Sequence, residues 1–163
     1  MDLLNSDLET LENAMRLFFQ TMKRPHTWAR VTEQTGIHLD RPAAVILHLL
    51  ADSSTPLHVQ DLASQLGIEA PSVTRKTQSL ERAGYLQRVP DARDRRLIDL
   101  RITPRGRAAA RKLWGAQRNI VAETLKDWNS DERRQFVRLF ERFSSDLSKL
   151  SQREPSHRRL SHA

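Results

Sequence analysis

The chain has 163 residues, 38% of them hydrophobic and 29% charged, with no cysteine and a formal net charge of +7. This composition predicts one globular domain with a core, and it excludes disulfides, thiolate catalysis and a membrane-spanning helix, because no long apolar run is present. The acidic first residues lack the basic and then apolar order of a signal peptide, so we expect a cytoplasmic protein.

The first part of the chain predicts three helices. Large apolar residues recur between Leu4 and Met22 at alternating spacings of 4 and 3, which is one face of an α-helix. Pro25 should interrupt that helix, and Gly36 is a natural C-cap for the helix that follows. Asp40 is suited to cap a third helix. Its inner side is predicted to carry four apolar residues: Val45, Ile46, Leu49 and Leu50.

Two shorter helices at residues 59–67 and 71–83 predict a helix-turn-helix, in which Gly67 allows the turn. The spacing of the second helix gives it an inner and an outer side. The inner side carries Val73, Thr77, Leu80 and Gly84. The outer side carries five polar residues: Ser72, Arg75, Gln78, Ser79 and Arg82.

The outer side of this second helix has the composition that a DNA-recognition helix requires, with short polar residues and arginines. Arg75 is the best candidate for a base contact, because an arginine can pair with O6 and N7 of guanine and contribute ~1–3 kcal/mol of discrimination. Ser72, Thr74 and Gln78 could contact bases or phosphates. The alternative interpretation is a pair of packed helices with a solvated polar side.

Strands predicted at residues 85–89 and 97–102 form a hairpin around a charged tip, "DARDRR". The tip contains three arginines, Arg93, Arg95 and Arg96, with two aspartates, Asp91 and Asp94. Residues 58–111, which include the tip, contain 11 lysines and arginines against 6 aspartates and glutamates, a net charge of +5. This concentration suggests a polyanionic partner. The alternative is a solvated turn whose ion pairs contribute ~0–1 kcal/mol.

Two further helices are predicted after the hairpin. Thr103 and Pro104 form a strong helix start, and Ser130 with Asp131 opens a final helix. The apolar residues of the first and last helices are spaced like the seam of a helix–helix interface. Either these helices pack within one chain, or they join two copies; we expect the second, a homodimer. The last residues, 151–163, are predicted to be a flexible basic tail.

From Asp61 to Ala109 the chain resembles the winged helix-turn-helix of the MarR family of bacterial transcriptional regulators. The segments that carry the resemblance are "DLASQLGI", "PSVTRKTQSLERAGYLQR", "DARDRR" and "LRITPRGRA". Lys76 and Thr77 depart from the family, which is often more aliphatic there. The resemblance implies a mainly α fold with a small two-stranded β-wing. It also implies dimerisation helices at 1–36 and 104–150 on either side of a DNA-binding domain at 37–103.

The resemblance further implies a sequence-specific, dimeric regulator of transcription, a repressor by family habit, on a pseudo-palindromic operator in double-stranded DNA. The recognition helix at about 71–83 would enter the major groove and the wing at about 90–96 the minor groove, with its arginines as donors. Asp91 and Asp94 would hold an arginine in a fixed rotamer. The alternative is a winged-helix module for protein interaction or non-specific nucleic-acid binding. No P-loop, dinucleotide fingerprint or nucleophile–base pair is present, so we expect no enzyme.

Many proteins that resemble this family are switched by a small, often aromatic molecule. Four residues would border such an effector site: Trp28, Arg30, His38 and His48. An aromatic surface with a cation or imidazole suits an anionic aromatic compound, whereas the alternative is that these residues are core or solvated. The six histidines are scattered and form no tight cluster with acidic residues along the sequence, so we expect no metal site and no cofactor.

Overall fold

The computed structural model describes residues 2–91, 94 and 96–152. This part of the chain contains seven helices and one two-stranded sheet, so the predicted fold class is confirmed. The helices are α1 (Asp2–Lys23), α2 (Pro25–Thr35), α3 (Arg41–Asp52), α4 (Val59–Leu66), α5 (Ala70–Arg82), α6 (Pro104–Thr124) and α7 (Ser130–Gln152). The strands are β1 (Leu86–Pro90) and β2 (Ile98–Ile102). None of the described helices is both long enough and apolar enough to cross a membrane.

The helix ends follow the capping residues that the sequence contains. Gly36 adopts a left-handed backbone with φ of 66° at the end of α2, and Gly67 does so with φ of 62° at the end of α4. A residue with a Cβ atom is disfavoured in this conformation, so glycine ends both helices. The Asp40 side chain accepts a hydrogen bond from the Ala43 N–H at 2.9 Å and caps α3. These predicted boundaries are confirmed.

The final helix α7 begins at Ser130, as predicted. Asn129 is its N-cap, and the Asn129 Oδ1 accepts the N–H groups of Asp131 and Glu132 at 2.9 and 3.0 Å. The Glu132 carboxylate in turn accepts the Asn129 N–H at 2.8 Å. This reciprocal pair is a capping box, and it satisfies N–H groups that the first helical turn leaves without partners.

The core of the winged helix-turn-helix joins α3, α4, α5, the hairpin and α6. Its fully buried large residues are Ile46, Leu47, Leu62, Val73, Leu80, Leu86 and Leu100. The buried side of α3 differs from the predicted one: Leu47 is buried, whereas Val45 and Leu49 are only half-buried. A second cluster consists of Val31, Ala44, Leu113 and Ala116, and it connects α2, α3 and α6.

The hairpin strands are antiparallel, with Leu86 opposite Ile102 and Pro90 opposite Ile98. A short extended segment before α4 adds to this sheet, since the Leu100 N–H donates to the Leu57 carbonyl at 2.9 Å. This third segment was not predicted. This pairing brings His58 beside Asp99.

The chain divides into two compact units, Met1–Ile120 and Val121–Ala163. The first contains both apolar clusters. In the second, every side chain of α7 whose burial is described is exposed, including those of large apolar residues. The bounds 1–36, 37–103, 104–150 and 151–163 remain predictions, and most of the predicted tail lies outside the described residues.

Candidate nucleic-acid interface

The helix α5 has a buried side and a polar exposed side. Val73, Thr77 and Leu80 are at most 1% exposed, as their spacing predicted. Gly84, which was predicted to face inward with them, is exposed because it lies beyond the end of α5. The hydroxyl of Thr77 donates to the Thr74 carbonyl at 3.0 Å, so a polar residue is accommodated in the core without an unsatisfied donor. Among the six predicted contact residues, four are exposed and two, Ser72 and Thr74, are half-buried. The exposed four are Arg75, Gln78, Ser79 and Arg82.

Hydrogen bonds within α5 orient some of these side chains. The Nη2 atom of Arg75 donates to the Ser72 hydroxyl at 3.2 Å, one turn towards the N-terminus of the helix. This contact directs the guanidinium towards the end of α5 from which recognition helices contact bases. The Thr74 hydroxyl donates to the Ala70 carbonyl at 3.0 Å, so it is already engaged with the helix backbone.

A shallow groove of about 540 Å³ lies between the start of α3 and the exposed side of α5. Its polar lining consists of His38, Asp40, Ser72, Arg75, Lys76 and Ser79. An ion pair between Lys76 and Asp40 crosses the groove and joins α5 to the residue that caps α3. Lys76, which departs from the family pattern, therefore has a structural partner 36 positions away.

The predicted effector residues make several different contacts. Trp28 donates from Nε1 to the Leu39 carbonyl at 2.7 Å and packs on the second apolar cluster. His48 lies edge-on to Trp114, with ring centroids 4.5 Å apart, and faces Asp52 at 3.2 Å. His38 lines the groove beside α5, and the side chain of Arg30 is exposed. None of these contacts tests the effector site, which stays a prediction.

Two of the three wing arginines, Arg93 and Arg95, lie outside the described residues, whereas Arg96 is described and exposed. The aspartates at the tip organise its backbone. Asp91 accepts the Asp94 N–H at 2.8 Å, and Asp94 accepts the Arg96 N–H at 2.9 Å. Side chains of this type stabilise tight turns by accepting N–H groups two or three residues ahead. The aspartates thus have a turn-forming role that the sequence analysis did not consider.

The base of the wing is held by the "TPRG" segment. The Thr103 hydroxyl donates to the Gly84 carbonyl at 2.8 Å and accepts the Gly106 N–H at 3.0 Å. A Cβ atom at position 106 would lie 1.9 Å from the Tyr85 carbonyl oxygen, which is far inside van der Waals contact. Glycine is therefore required where α6 passes the beginning of the hairpin.

The sequence analysis missed a cluster of polar residues at the root of the wing. His58 Nε2 lies 3.4 Å from Asp99 Oδ1 and 3.6 Å from Asp91 Oδ2. Asp99 is only 2% exposed, and its other oxygen accepts from Arg101 at 3.0 Å. Two signals were available: His58 and Asp61 have capping-box spacing, and Asp99 is a charged residue inside an apolar strand. Neither signal could reveal that the two segments are adjacent.

Comparisons with known proteins agree with this architecture. Residues 39–97 match the model of the MarR family, so the resemblance seen in the sequence is confirmed. The transcriptional regulator BldR from Sulfolobus solfataricus is 23% identical, with a TM-score of 0.69, over 90% of this chain and 97% of that one. A MarR family protein from Bacillus stearothermophilus is 18% identical, with a TM-score of 0.77, over 88% and 97%.

A third similar structure is that of the heme sensor protein PefR from Streptococcus agalactiae in complex with heme. It is 19% identical, with a TM-score of 0.58, over 83% of this chain and 92% of that one. A search of the curated proteins found no match. At these identities the structural likeness establishes the fold. The family whose model matches residues 39–97 consists of transcription regulators.

Proposed function

We propose that this chain, which carries the winged helix-turn-helix of the MarR family, regulates transcription as a homodimer bound to a specific, pseudo-palindromic site in duplex DNA. The family match supports DNA-binding regulation in general. The observation that carries the finer proposal is the exposed side of α5. There Arg75 is oriented by Ser72 and is followed by Gln78, Ser79 and Arg82 on the same polar surface.

In this proposal α5 lies in the major groove. The N-terminal half of the helix would meet base edges, and Arg75 would pair with a guanine. Arg82, one helical turn after Gln78, would reach the phosphates on the flank of the groove. The Lys76–Asp40 ion pair supports a fixed position of α5 on α3, which a helix needs if it is to read one register of bases.

The wing would contact the minor groove beside the site that α5 reads. Arg96 is exposed, and Asp91 and Asp94 accept the N–H groups of Asp94 and Arg96. Narrow, A·T-rich minor grooves attract arginine through their negative potential. Arg93 and Arg95, which the sequence places in the same tip, would add to this contact.

Dimerisation would use the exposed apolar residues of the terminal helices. On α1, Leu8, Leu11, Phe18 and Phe19 are 44–52% exposed. On α7, Phe136, Phe140, Phe143 and Leu147 are 38–50% exposed. Contiguous apolar surfaces of this kind mark interaction sites, and a second copy of the chain would cover them in a symmetric manner. A twofold dimer would place two recognition helices on half-sites ~10 bp apart.

A small molecule would control this binding: the protein would act as a repressor that an aromatic effector releases from DNA. PefR, whose structure is similar, is a heme sensor that binds heme. His38, one of the predicted effector residues, lines the same groove as Ser72 and Arg75. An effector acts only if it binds more tightly to the conformation that does not fit DNA.

The proposal is tested by selecting bound fragments from random duplex DNA with the purified chain. A consensus with twofold symmetry is expected, and binding to it should weaken when a candidate aromatic compound is added. A module for protein interaction or non-specific nucleic-acid binding would instead yield no consensus, with an affinity that is independent of sequence. That result would refute the proposed regulator.

A further inference from the structure

We propose that the root of the wing binds one divalent transition-metal ion. The ligands would be Nε2 of His58, Oδ2 of Asp91 and Oδ1 of Asp99. These residues come from three segments: His58 is the residue before α4, Asp91 follows β1, and Asp99 is the second residue of β2. The three atoms lie within 4.8 Å of one another. The sequence analysis expected no metal because these residues are dispersed along the chain, and only the fold brings them together.

The distances suit coordination. His58 Nε2 is 3.4 Å from Asp99 Oδ1 and 3.6 Å from Asp91 Oδ2. In a tetrahedral zinc site with bonds of about 2.0–2.1 Å, neighbouring ligand atoms are about 3.3–3.4 Å apart. The nitrogen is therefore at ligand-to-ligand spacing from both oxygens. A small movement of Asp91, which lies at the base of the wing tip, would complete the site.

Outer contacts orient two of the ligands towards a common centre. His58 Nδ1 lies 3.2 Å from Asp61 Oδ2, and a proton on Nδ1, donated to this carboxylate, would leave Nε2 as a lone-pair donor. Asp99 Oδ2 accepts from Arg101 at 3.0 Å, which leaves Oδ1 facing the histidine. Metal-binding histidines in proteins almost always have such a carboxylate or carbonyl partner on the other nitrogen.

The third ligand is oriented in the same way. Asp91 Oδ1 accepts the backbone N–H of Asp94 at 2.8 Å, so Oδ2 is the oxygen that points to His58. In each of the three residues, one polar atom is held by a neighbour and the other is directed inward. An arrangement of this kind is what a built metal site requires.

Two buried polar atoms at the centre of this cluster also favour a bound cation. Among the described residues, His58 Nε2 and Asp99 Oδ1 are buried and have no hydrogen-bond partner. A buried, unpaired carboxylate oxygen is costly. A proton on His58 would supply a single N–H, which can point at only one of the two carboxylates, whereas a metal ion binds both at once. One imidazole and two carboxylates suit Zn²⁺ or Mn²⁺.

Metal binding would connect the wing to the helix-turn-helix, and this consequence rests on the proposed DNA-binding function. The ion would connect Asp91, the first residue of the tip, to His58, the residue before α4. A fixed wing loses less conformational freedom on binding DNA, so the metal would raise DNA affinity without touching the DNA. By linkage, DNA would raise metal affinity by the same factor.

The direct test uses the full chain, freed of metal with a chelator and titrated with Zn²⁺ by calorimetry and with Co²⁺ by absorption. We expect one more bound ion per chain in the wild type than in His58→Asn. Asparagine is a good N-cap, so this variant should still form α4. The variant Asp61→Asn keeps a side-chain oxygen that can accept the His58 N–H at the start of α4 but removes the charged partner of His58 Nδ1, and it should weaken Zn²⁺ binding 10–100-fold.

The matched control is His26→Asn, which removes an exposed histidine on α2 and should leave the titration unchanged. Zn²⁺ should raise the melting temperature of the wild type and of His26→Asn but not of Asp99→Asn. Equal metal binding by the wild type and His58→Asn, or no Zn²⁺-dependent rise in melting temperature, would overturn the site.

DNA binding is measured separately, with and without Zn²⁺, on a selected site. Wild-type affinity should rise with Zn²⁺, and that of His58→Asn should not. A metal-loaded wild type whose DNA affinity does not change would refute the coupling but not the site. Failure of both proteins to bind any DNA selectively would refute the proposed function, while the metal titration would still decide the site.

Discussion

Two regions of this molecule differ in how far their large apolar side chains are exposed. In the winged helix-turn-helix, Ile46, Leu62 and Leu80 are 0–1% exposed, so one chain suffices to cover them. On α7, Phe140 is 50% exposed and Phe136 is 41% exposed. Folding of one chain buries the apolar residues of the first region, whereas those of the second stay exposed and are the ones that the proposed dimer would cover. The same comparison separates changes that should unfold the protein from changes that should only alter its assembly or its contacts.

The largest effect is expected at the base of the wing, from Gly106→Ala. The added methyl would collide with the Tyr85 carbonyl oxygen at 1.9 Å, and a backbone oxygen cannot move aside as a flexible side chain can. Overpacking typically costs ~1–3 kcal/mol, and this case should reach about 3 kcal/mol or more. Urea unfolding followed by circular dichroism measures the loss.

Gly115→Ala is the matched control, because it lies in the same helix and a Cβ atom there would meet nothing within 4 Å. Alanine in a helix interior is more favourable than glycine by ~0.5–1 kcal/mol. The control should therefore be neutral or stabilising. Equal stability of the two variants would contradict the close approach at Gly106.

The next effect concerns the exposed region, through Phe140→Asp. Burial of a phenylalanine contributes ~1.5–3 kcal/mol, and a twofold interface contains the residue twice. The dissociation constant of the dimer should therefore rise about 100-fold or more. The molar mass from light scattering, measured across a range of concentrations, reports this change.

The stability of the monomeric fold should change little in Phe140→Asp, since the side chain is half exposed in one chain. Ser145→Asp adds the same charge to another exposed position of α7 and should leave the dimer intact. A dimer that survives Phe140→Asp unchanged would remove α7 from the proposed interface.

A smaller effect is expected for Arg75→Ala on the exposed side of α5. Loss of a bidentate guanine contact should cost ~1–3 kcal/mol of affinity for the selected site and relax the preference at one base position. Competition binding with single-base variants of the site measures both quantities. Lys126→Ala, which removes an exposed cation between α6 and α7, should keep the base preference. If Arg75→Ala retained the full preference, the recognition role of α5 would be refuted.

The smallest effect is expected at the wing, from Arg96→Ala. This variant should weaken binding similarly for all sequences and reduce the salt slope of the affinity by about 1, because one cation–DNA contact is lost. Titrations at several salt concentrations give the slope. Arg93→Ala should behave alike by the same reasoning. An unchanged slope in both variants would exclude the tip from the DNA contact.

The sequence by itself determined the features that depend on near neighbours. Gly36, Asp40 and Gly67 set helix ends, and the spacing of Val73, Thr77 and Leu80 set the inner side of α5. A cap or a helical face involves residues a few positions apart, so it can be read along the chain. The start of α7 at Ser130 was predicted in the same way, and its cap, Asn129, is the residue just before it.

Only the tertiary structure decided which distant residues meet. Lys76 pairs with Asp40 across 36 positions, and pairing of Leu57 with Leu100 brings His58 beside Asp99. Nothing in a short window specifies such contacts, because they follow from the packing of α3, α5 and the hairpin around a shared core. The physical reason is that capping is a local hydrogen-bonding equilibrium, whereas a polar cluster depends on where the hydrophobic core places whole segments.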